Sequence, residues 1–558
     1  MNFVDEKKLK NGTWQSFERN ISRLLLCEEY QNVRLIGGSG DKGADVIASK
    51  YNKRWLFQAK QWKKPIGIDV VQETLSALSS YGADIPVIVA SRGFETSVYE
   101  YRNTLMSQGI NLQLWSAETM VSHFNKLPDV TINKKSPREY QEKAIVSIVQ
   151  AYSNERKALI VLATGLGKTF VAAEAFRRLN VFHKLHTLVL AHTNSLVYQL
   201  EKAFWPFLKP TQSTSVWNGY ERLTEQDVND SDMVFACVDT VYEALKRGDS
   251  FSFDAIIVDE CHHAGSPTYK YVLDKLSAGT PDCFVLGLTA TPWRPDEQDI
   301  KELFGEPRIQ IDMVYGMKHG YLANVDYRMH TDNIDWNALN ALHGDCFSPK
   351  QINKTLFINQ WDDAVVEEFR KAWAEQVNPR AIIFCGTIEH TQIMRDKINA
   401  LSFCYAATIH SKMEMAERNL VLSDFSDGKI NAICTVDVFN EGIDVPDVNI
   451  LVFQRVTHSR RIFIQQLGRG LRISEDKDKV IVLDFVSDVR RFAAGLDLKS
   501  RLSSKQSVRI NLPNKVTFKR QGAEDTKTEA FLREWLDDVA SIENADEDAS
   551  ILKFPPRL

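Results

Sequence analysis

Eight cysteines are spread through the sequence, at positions 27, 237, 261, 283, 346, 385, 404 and 434, and no two stand at CxxC spacing. That scatter indicates neither a zinc ribbon nor a disulfide framework. No stretch approaches the roughly 20 apolar residues of a membrane span. The opening residues, MNFVDEKKLK, contain no apolar run either, so the expectation is a cytoplasmic protein with no membrane partner. A short-period internal repeat is absent, which argues against a solenoid. The net charge of -5 gives no overall basic excess to mark a nucleic-acid binder. A local surface suffices for that purpose, and the first 135 residues carry 18 Lys and Arg against 14 Asp and Glu, a local excess of +4.

The composition, 44% hydrophobic and 25% charged, is that of a globular protein, and 558 residues are too many for one core. At about 150 residues per domain, three or four domains are expected. Residues 1–126 read as helix, strands, helix, strand, helix. Residues 127–137 read as a linker with two prolines and little apolar periodicity. From there, apolar runs alternate with amphipathic segments to about residue 490, the βαβ rhythm of parallel sheets, divided here into 138–310 and 311–490. Residues 491–558 form a short extension in which Phe531 to Asp538 suggests an amphipathic helix and Glu543 to Asp548 a solvated acidic run. The fold class expected is α/β throughout.

The clearest chemical signal follows the linker. Ala158 to Ala163 is an apolar strand, Thr164-Gly-Leu-Gly-Lys-Thr169 a glycine loop, and the residues from Phe170 onward suit a helix. The glycines, Gly165 and Gly167, let backbone N–H groups close around phosphate oxygens at a helix N-terminus. Lys168 then reaches the β- and γ-phosphates, and the Thr169 hydroxyl can ligate magnesium. A second apolar strand, beginning at Phe253, ends in Asp259 and Glu260. Such a pair suits one acid for holding magnesium and the other for polarising the attacking water. The neighbouring Cys261, His262 and His263 have no second ligand pair at zinc spacing and read as part of the same strand end.

A different pattern lies nearer the N-terminus. Asp45-Val-Ile-Ala and Trp55-Leu-Phe-Gln-Ala-Lys60 flank a polar, turn-prone segment, as the two strands of a hairpin do. Gln58 and Lys60 share one face of their strand, and Asp45 can lie opposite them. A carboxylate and an amide oxygen beside an ammonium group form a site for a hard cation and a phosphate, although an exposed hairpin accounts for the same spacing.

The region from 136 to 490 resembles superfamily 2 helicases and translocases. Lys168 and Thr169 match the first motif, Asp259-Glu-Cys-His262 the DExH box, and Leu288-Thr-Ala-Thr-Pro292 the third motif. Ser459 to Arg472 resembles the sixth, in which the resemblance implies that Gln465, Arg469 and Arg472 face ATP from a second RecA-like domain. An arginine supplied across a cleft makes hydrolysis conditional on domain closure. Gln141 matches the adenine-reading element, and Thr193, Thr240, Thr387 and Thr435 match motif positions that touch the nucleic-acid backbone, which carries no sequence information. The Gln465-Gln-Leu-Gly-Arg-Gly-Leu-Arg472 form and Glu441-Gly-Ile-Asp-Val-Pro446 look more like the motors of type I and type III restriction enzymes than like DEAD-box proteins, which implies double-stranded DNA as the track.

Residues 10–125 resemble the Mrr-type restriction endonuclease domain, a branch of the PD-(D/E)XK nucleases in which glutamine replaces one acid. The matching residues are Gly40-Asp-Lys-Gly-Ala-Asp45, Gln58-Ala-Lys60 and an upstream helical glutamate, Glu18, with Glu28 and Glu29 as competitors. Trp14, Glu18, Ile21 and Leu25 fall on one side of the expected helix. The resemblance implies that Asp45, assisted by Glu18 and Gln58, binds magnesium and that Lys60 positions or activates water. The expected protein is an ATP- and Mg2+-dependent motor coupled to a DNA endonuclease, serving restriction or antiphage defence. Two alternatives stay open: a repair or remodelling motor whose N-terminal domain only grips DNA, and a subunit that needs a defence-system partner protein.

Overall fold

A computed structural model describes residues 2–36, 43–279, 282–290, 297–311, 315–316, 319–329, 346–347, 359–436, 448–454 and 479–485, with short strands at 516–520, 523–527 and 552–553. The chain forms two compact units. The first comprises Met1–Leu162, Gly167–Gln310 and Glu414–Leu420, and the second Ala163–Leu166, Ile311–Met413 and Val421–Leu558.

The first unit begins with helices α1 (Glu6–Asn11) and α2 (Trp14–Cys27), followed by strands β1 (Gln31–Leu35), β2 (Val46–Lys50) and β3 (Lys53–Lys60). Next come α3 (Ile68–Tyr81), β4 (Ile85–Ala90), α4 (Thr96–Ser107), β5 (Gln113–Ser116) and α5 (Ala117–Asn125). The five strands form one mixed sheet in sequential order. β2 and β3 turn through Tyr51 and Asn52, both left-handed (φ 55° and 56°), the geometry whose twist matches a two-residue hairpin. β3 is the central strand and has a different core on each face. Phe57 and Trp55 pack with Phe17, Ile21 and Leu25 of α2, whereas Leu56 packs with Ala77 and Tyr81 of α3. Because strand side chains alternate, Gln58 and Lys60 lie on the α3 face with Leu56.

A seven-stranded sheet follows in the same unit. Its elements are α6 (Glu139–Asn154), β6 (Lys157–Leu162), α7 (Lys168–Phe182), β7 (Thr187–Ala191), α8 (Asn194–Phe204), β8 (Thr214–Trp217), α9 (Glu225–Asn229), β9 (Met233–Cys237) and α10 (Val238–Lys246). They continue with β10 (Ala255–Val258), α11 (Pro267–Gly279), β11 (Phe284–Thr289), α12 (Glu297–Phe304) and β12 (Pro307–Ile311). The strand order is β12-β6-β11-β10-β7-β9-β8, and β6, β11, β10, β7, β9 and β8 pair in parallel. Strands buried on both faces, such as Leu188–Ala191 and Met233–Cys237, explain the continuous apolar runs in the sequence.

Hydrogen bonds tie the mixed sheet's region to the seven-stranded sheet's region within this unit. Arg19 of α2 is buried between Glu201 of α8 and Glu221, with Nε 2.7 Å from Glu201 Oε2 and Nη1 paired to Glu221. Thr13 Oγ1 donates to Glu221 (2.9 Å), Arg23 Nη2 to the Lys209 carbonyl (3.0 Å) and Lys202 Nζ to the Val33 carbonyl (2.9 Å). Although burial alone would lower the Arg19 pKa, the two carboxylates outweigh it and hold the guanidinium charged.

The second unit contains β13 (Asn324–Met329), β14 (Cys346–Phe347), α13 (Asn359–Ala374), β15 (Ala381–Phe384), α14 (Ile388–Ala400), β16 (Ala406–Ile409), α15 (Met415–Ser426), β17 (Ala432–Thr435), β18 (Ile450–Phe453) and β19 (Lys479–Asp484). Helix α15 straddles the division between the units. Six strands form a wholly parallel sheet in the order β13-β19-β18-β15-β17-β16. The short strands β20 (Val516–Arg520) and β21 (Ala523–Lys527) pair with each other, and β22 (Leu552–Lys553) pairs with β14. The helix expected over Phe531 to Asp538 lies outside the described residues.

Candidate active sites

Strand β6 delivers the chain into the glycine loop, where Gly165 (φ 90°) and Gly167 (φ 82°) are both left-handed and α7 starts at Lys168. The left-handed angle favours glycine at Gly167, and a Cβ there would stand 2.8 Å from Gln141 Nε2, which would have to shift. Gln141 sits in the first turn of α6, where its Oε1 accepts the Arg138 backbone N–H at 2.9 Å. It therefore caps its own helix and lines the loop at the same time. Thr169 occupies the first turn of α7 and is half-buried.

Facing this loop, β10 ends in Asp259 and Glu260. Glu260 is left-handed (φ 47°), a strained angle for a side-chain-bearing residue that turns the chain sharply into a 3-10 turn over Cys261–His263. Glu260 Oε1 accepts from Lys168 Nζ at 3.1 Å, and its Oε2 lies 3.3 Å from His262 Nδ1. Burial favours a neutral acid at Glu260, but Lys168 and His262 outweigh it and hold this carboxyl well below the ordinary range. Burial and the adjacent Glu260 charge push the Asp259 carboxyl up instead. Among the described residues, Asp259 Oδ1 is buried with no hydrogen-bond partner. An orphaned buried carboxylate oxygen beside a phosphate-type loop fits a hard cation. His262 Nδ1 also lies 3.1 Å from Thr289 Oγ1 at the end of β11, which joins the DExH strand to the third-motif strand directly.

In the mixed sheet, Val46 pairs with Phe57, so Asp45 stands opposite Gln58 one step before β2 begins. Asp45 is buried, and its Oδ2 accepts the Ala59 backbone N–H at 2.6 Å. Gln58 is fully buried; its Oε1 accepts from the Thr74 hydroxyl, and among the described residues its Nε2 has no hydrogen-bond partner. Lys60 Nζ lies 3.5 Å from Glu73 Oε2. Gly43 (φ 85°) borders the same space, since a Cβ there would stand 2.8 Å from Gln58 Nε2 and 3.0 Å from Glu73 Oε1. The hairpin thus brings together Asp45, Gln58 and Lys60, as its spacing suggests, and adds Glu73 and Thr74 from α3. The orphaned Nε2 is a hydrogen-bond donor, so as the amide stands it is the carboxylates of Asp45 and Glu73 that suit a cation taking oxygen ligands.

Glu18 is buried on α2, whose apolar side packs on the opposite face of the sheet from Gln58. Among the described residues, no three Asp, Glu, His or Cys side chains gather as a metal ion would need. Trp14, expected on the same side as Ile21 and Leu25, is 52% exposed because it opens the helix beyond the edge of the core. The competitors of Glu18 are engaged elsewhere: Glu28 with His123 (2.6 Å) and Glu29 with Lys134 (3.0 Å). Residues 40–42, of the stretch leading to Asp45, lie outside the described residues.

Thr193 and Thr387 are N-caps, accepting the Leu196 and His390 backbone N–H groups, and Thr240 lies in the first turn of α10. Thr435 ends β17 fully buried. Gln465, Arg469, Arg472 and Glu441 to Pro446 lie outside the described residues, as do Thr291 and Pro292.

Three family models match in succession. Residues 9–124 match a restriction endonuclease model of the Mrr type, 134–294 the type III restriction enzyme res subunit, and 363–474 the helicase conserved C-terminal domain. In order along the chain these are an endonuclease model and then two models of restriction-enzyme and helicase type, each spanning less than a third of the sequence. The motor match takes in the glycine loop, the acid pair and the strand-end threonines, and the endonuclease match takes in the whole mixed sheet.

The chain is similar to the Type I restriction enzyme EcoAI endonuclease subunit of Escherichia coli, at 27% identity over 509 residues, or 81% of this chain and 61% of that protein. It is also 26% identical over 386 residues to the DNA 3'-5' translocase XPB2 of Sulfurisphaera tokodaii, covering 62% of this chain and 80% of that one. A solved structure, the ATP-dependent Type ISP restriction-modification enzyme LlaBIII bound to DNA, shares the fold over 87% of this chain and 37% of its own, with a TM-score of 0.51 and 17% identity. The chain spans 51 to 61% of the length of the first curated relatives it matches. Among the described residues, no helix is long and apolar enough to cross a membrane.

The residues that sequence reasoning missed are Glu73, Thr74 and Arg19. Thr74 had a signal: it interrupts the otherwise apolar spacing Val70, Val71, Ala77, Tyr81 along α3. Arg19 had none, because its partners stand some 180 to 200 positions away.

Proposed function

We propose that the protein is an ATP-driven motor on double-stranded DNA whose N-terminal domain cuts DNA in a magnesium-dependent reaction, serving restriction of foreign DNA. The observation that carries this is the presence in one compact unit of two polar clusters, Lys168 with Asp259 and Glu260, and Asp45 with Gln58 and Lys60, whose chemistry suits a phosphate. The domain division that goes with this reading is nuclease 1–126, linker 127–137, motor domains 138–310 and 311–490, and extension 491–558.

In the motor, Lys168 neutralises the β- and γ-phosphates and Glu260, kept ionised, orients and polarises the attacking water. Asp259 and Thr169 would hold the magnesium, which when bound neutralises phosphate charge. Gln141 lines the base side of the loop, and Gln465, Arg469 and Arg472 are assigned to ATP by their match to the sixth helicase motif alone. Thr193, Thr240 and Thr387 track the phosphodiester backbone, whereas Thr435 is fully buried at the end of β17 and is left out of that role. In the nuclease, Asp45 and the Gln58 oxygen would hold the cation that withdraws charge from the scissile phosphate, and Glu18, on the helix that covers the other face of the sheet, takes no part. Lys60 positions the water or stabilises charge on the phosphate.

Site-directed variants separate the two activities. Lys168→Ala removes ATP hydrolysis, and unchanged turnover refutes the loop assignment. Asp45→Ala and Lys60→Ala each abolish cutting while ATP hydrolysis persists, and cutting retained by both refutes the nuclease assignment. A second reading, in which the N-terminal domain only grips DNA, draws support from the lack of a three-acid cluster among the described residues. Under that reading, wild-type protein binds DNA but never cuts it with any divalent cation. A defence-system partner protein supplying recognition is consistent with similarity to a type I enzyme subunit.

A further inference from the structure

The Thr74 hydroxyl faces two acceptors with one proton. Its Oγ1 lies 2.8 Å from the Val70 carbonyl oxygen and in hydrogen-bond contact with Gln58 Oε1. A hydroxyl donates once and accepts through its lone pairs. If the proton goes to Gln58 Oε1, the amide turns its Nε2 toward the space at Gly43, where that group is buried and unpartnered. If the proton goes to Val70, Oγ1 becomes an acceptor, the amide rotates to donate Nε2–H to it, and Oε1 enters that space. The two orientations differ by a half-turn about a broad two-fold torsion. Only the second leaves a lone pair facing the Glu73 carboxylate, where a cation satisfies both oxygens.

We propose that Thr74 is a positioning residue of the nuclease site: its hydroxyl holds the Gln58 amide in either orientation and lets a divalent cation draw the amide oxygen into the space bordered by Gly43 and Glu73. This rests on the nuclease reading above. The glutamine that replaces an acid then needs a partner an acid does not, because a carboxylate offers oxygen either way round and an amide must be oriented.

The test uses the full-length protein and Mn2+ alone, without nucleotide, with binding measured by titration as the part that Asp45→Ala removes. Thr74→Val weakens that binding by about 10-fold or more, the scale of an outer-shell ligand partner. Thr74→Ser restores it, and ATP hydrolysis is unchanged in both. In a Gln58→Glu background the same Thr74→Val change costs about 2-fold or less, because the orientation no longer matters. Equal loss in both backgrounds means the hydroxyl only supports packing, and it overturns the proposal. So does Mn2+ binding in Thr74→Val equal to wild type while Asp45→Ala still abolishes it; that outcome leaves the nuclease reading standing. If Asp45→Ala and wild type bind Mn2+ alike, the nuclease reading itself falls and takes the proposal with it.

Discussion

Replacing Arg19 with methionine removes a cation from between two buried carboxylates, Glu201 and Glu221, which are both about 2% exposed. Methionine fills much of the stem volume, so the loss is chiefly electrostatic. Removing one partner from a buried ion pair leaves an uncompensated charge and costs about 3–5 kcal/mol. Tyr198, which donates to Glu221 at 3.1 Å, and Thr214, which donates to Glu201 at 2.6 Å, remain and soften that loss. The lower figure, about 3 kcal/mol, is therefore the expectation. At roughly 2 °C per kcal/mol for a unit of this size, the calorimetric transition of the first unit drops by about 6 °C. The bridge links the nuclease region to the motor region, so limited proteolysis should also release residues 1–126 faster. Changing Glu201 and Glu221 to glutamine together with Arg19→Met recovers most of the loss, since no buried charge is left unpaired. A drop below about 1 kcal/mol in the single variant is the behaviour of an exposed pair and refutes the reasoning.

Three further outcomes follow from the site geometry. Gly167→Ala forces a side chain onto a left-handed backbone against Gln141, a strain of about 1–2 kcal/mol, and weakens nucleotide binding by roughly 5- to 30-fold; a fluorescent ATP analogue that binds it with wild-type affinity contradicts this. Glu260→Gln keeps ATP binding but slows hydrolysis by about 100-fold or more, read in single turnover; a rate within a few-fold of wild type removes Glu260 from its role. Gly43→Ala places a methyl in the cradle beside Gln58 and Glu73, so DNA cutting is lost while ATP hydrolysis is retained; intact cutting argues that the cradle holds nothing.

The motor was legible in the sequence because its chemistry is local: a strand, a glycine loop and a helix follow one another within a dozen residues, and so does the acid pair at its strand end. Parallel strands buried on both faces also announce themselves as apolar runs. The hairpin that carries Asp45, Gln58 and Lys60 was legible for the same reason, since period two alone places Gln58 and Lys60 together and the turn residues fix which residue opposes them. What could not be read is what another element brings from a distance. Thr74 and Glu73 reach the hairpin only because α3 packs on that face of β3. Glu18 falls on the helix of the opposite face, and a helical pattern cannot tell which face of a sheet its apolar side will cover. The Arg19 bridge depends on α8 and the loop before α9, far along the chain. Sequence also treated Gln141 as a base contact alone, whereas its amide oxygen already caps α6.

The central claim is that one chain couples ATP-driven movement to DNA cutting. Its most direct test is cleavage of linear and circular duplex DNA by purified wild type, Asp45→Ala and Lys168→Ala, each with magnesium and with or without ATP. The account predicts cutting by wild type with ATP, none by either variant, and ATP hydrolysis retained in Asp45→Ala. Cutting by Lys168→Ala at the wild-type rate contradicts the coupling, and cutting by Asp45→Ala contradicts the site.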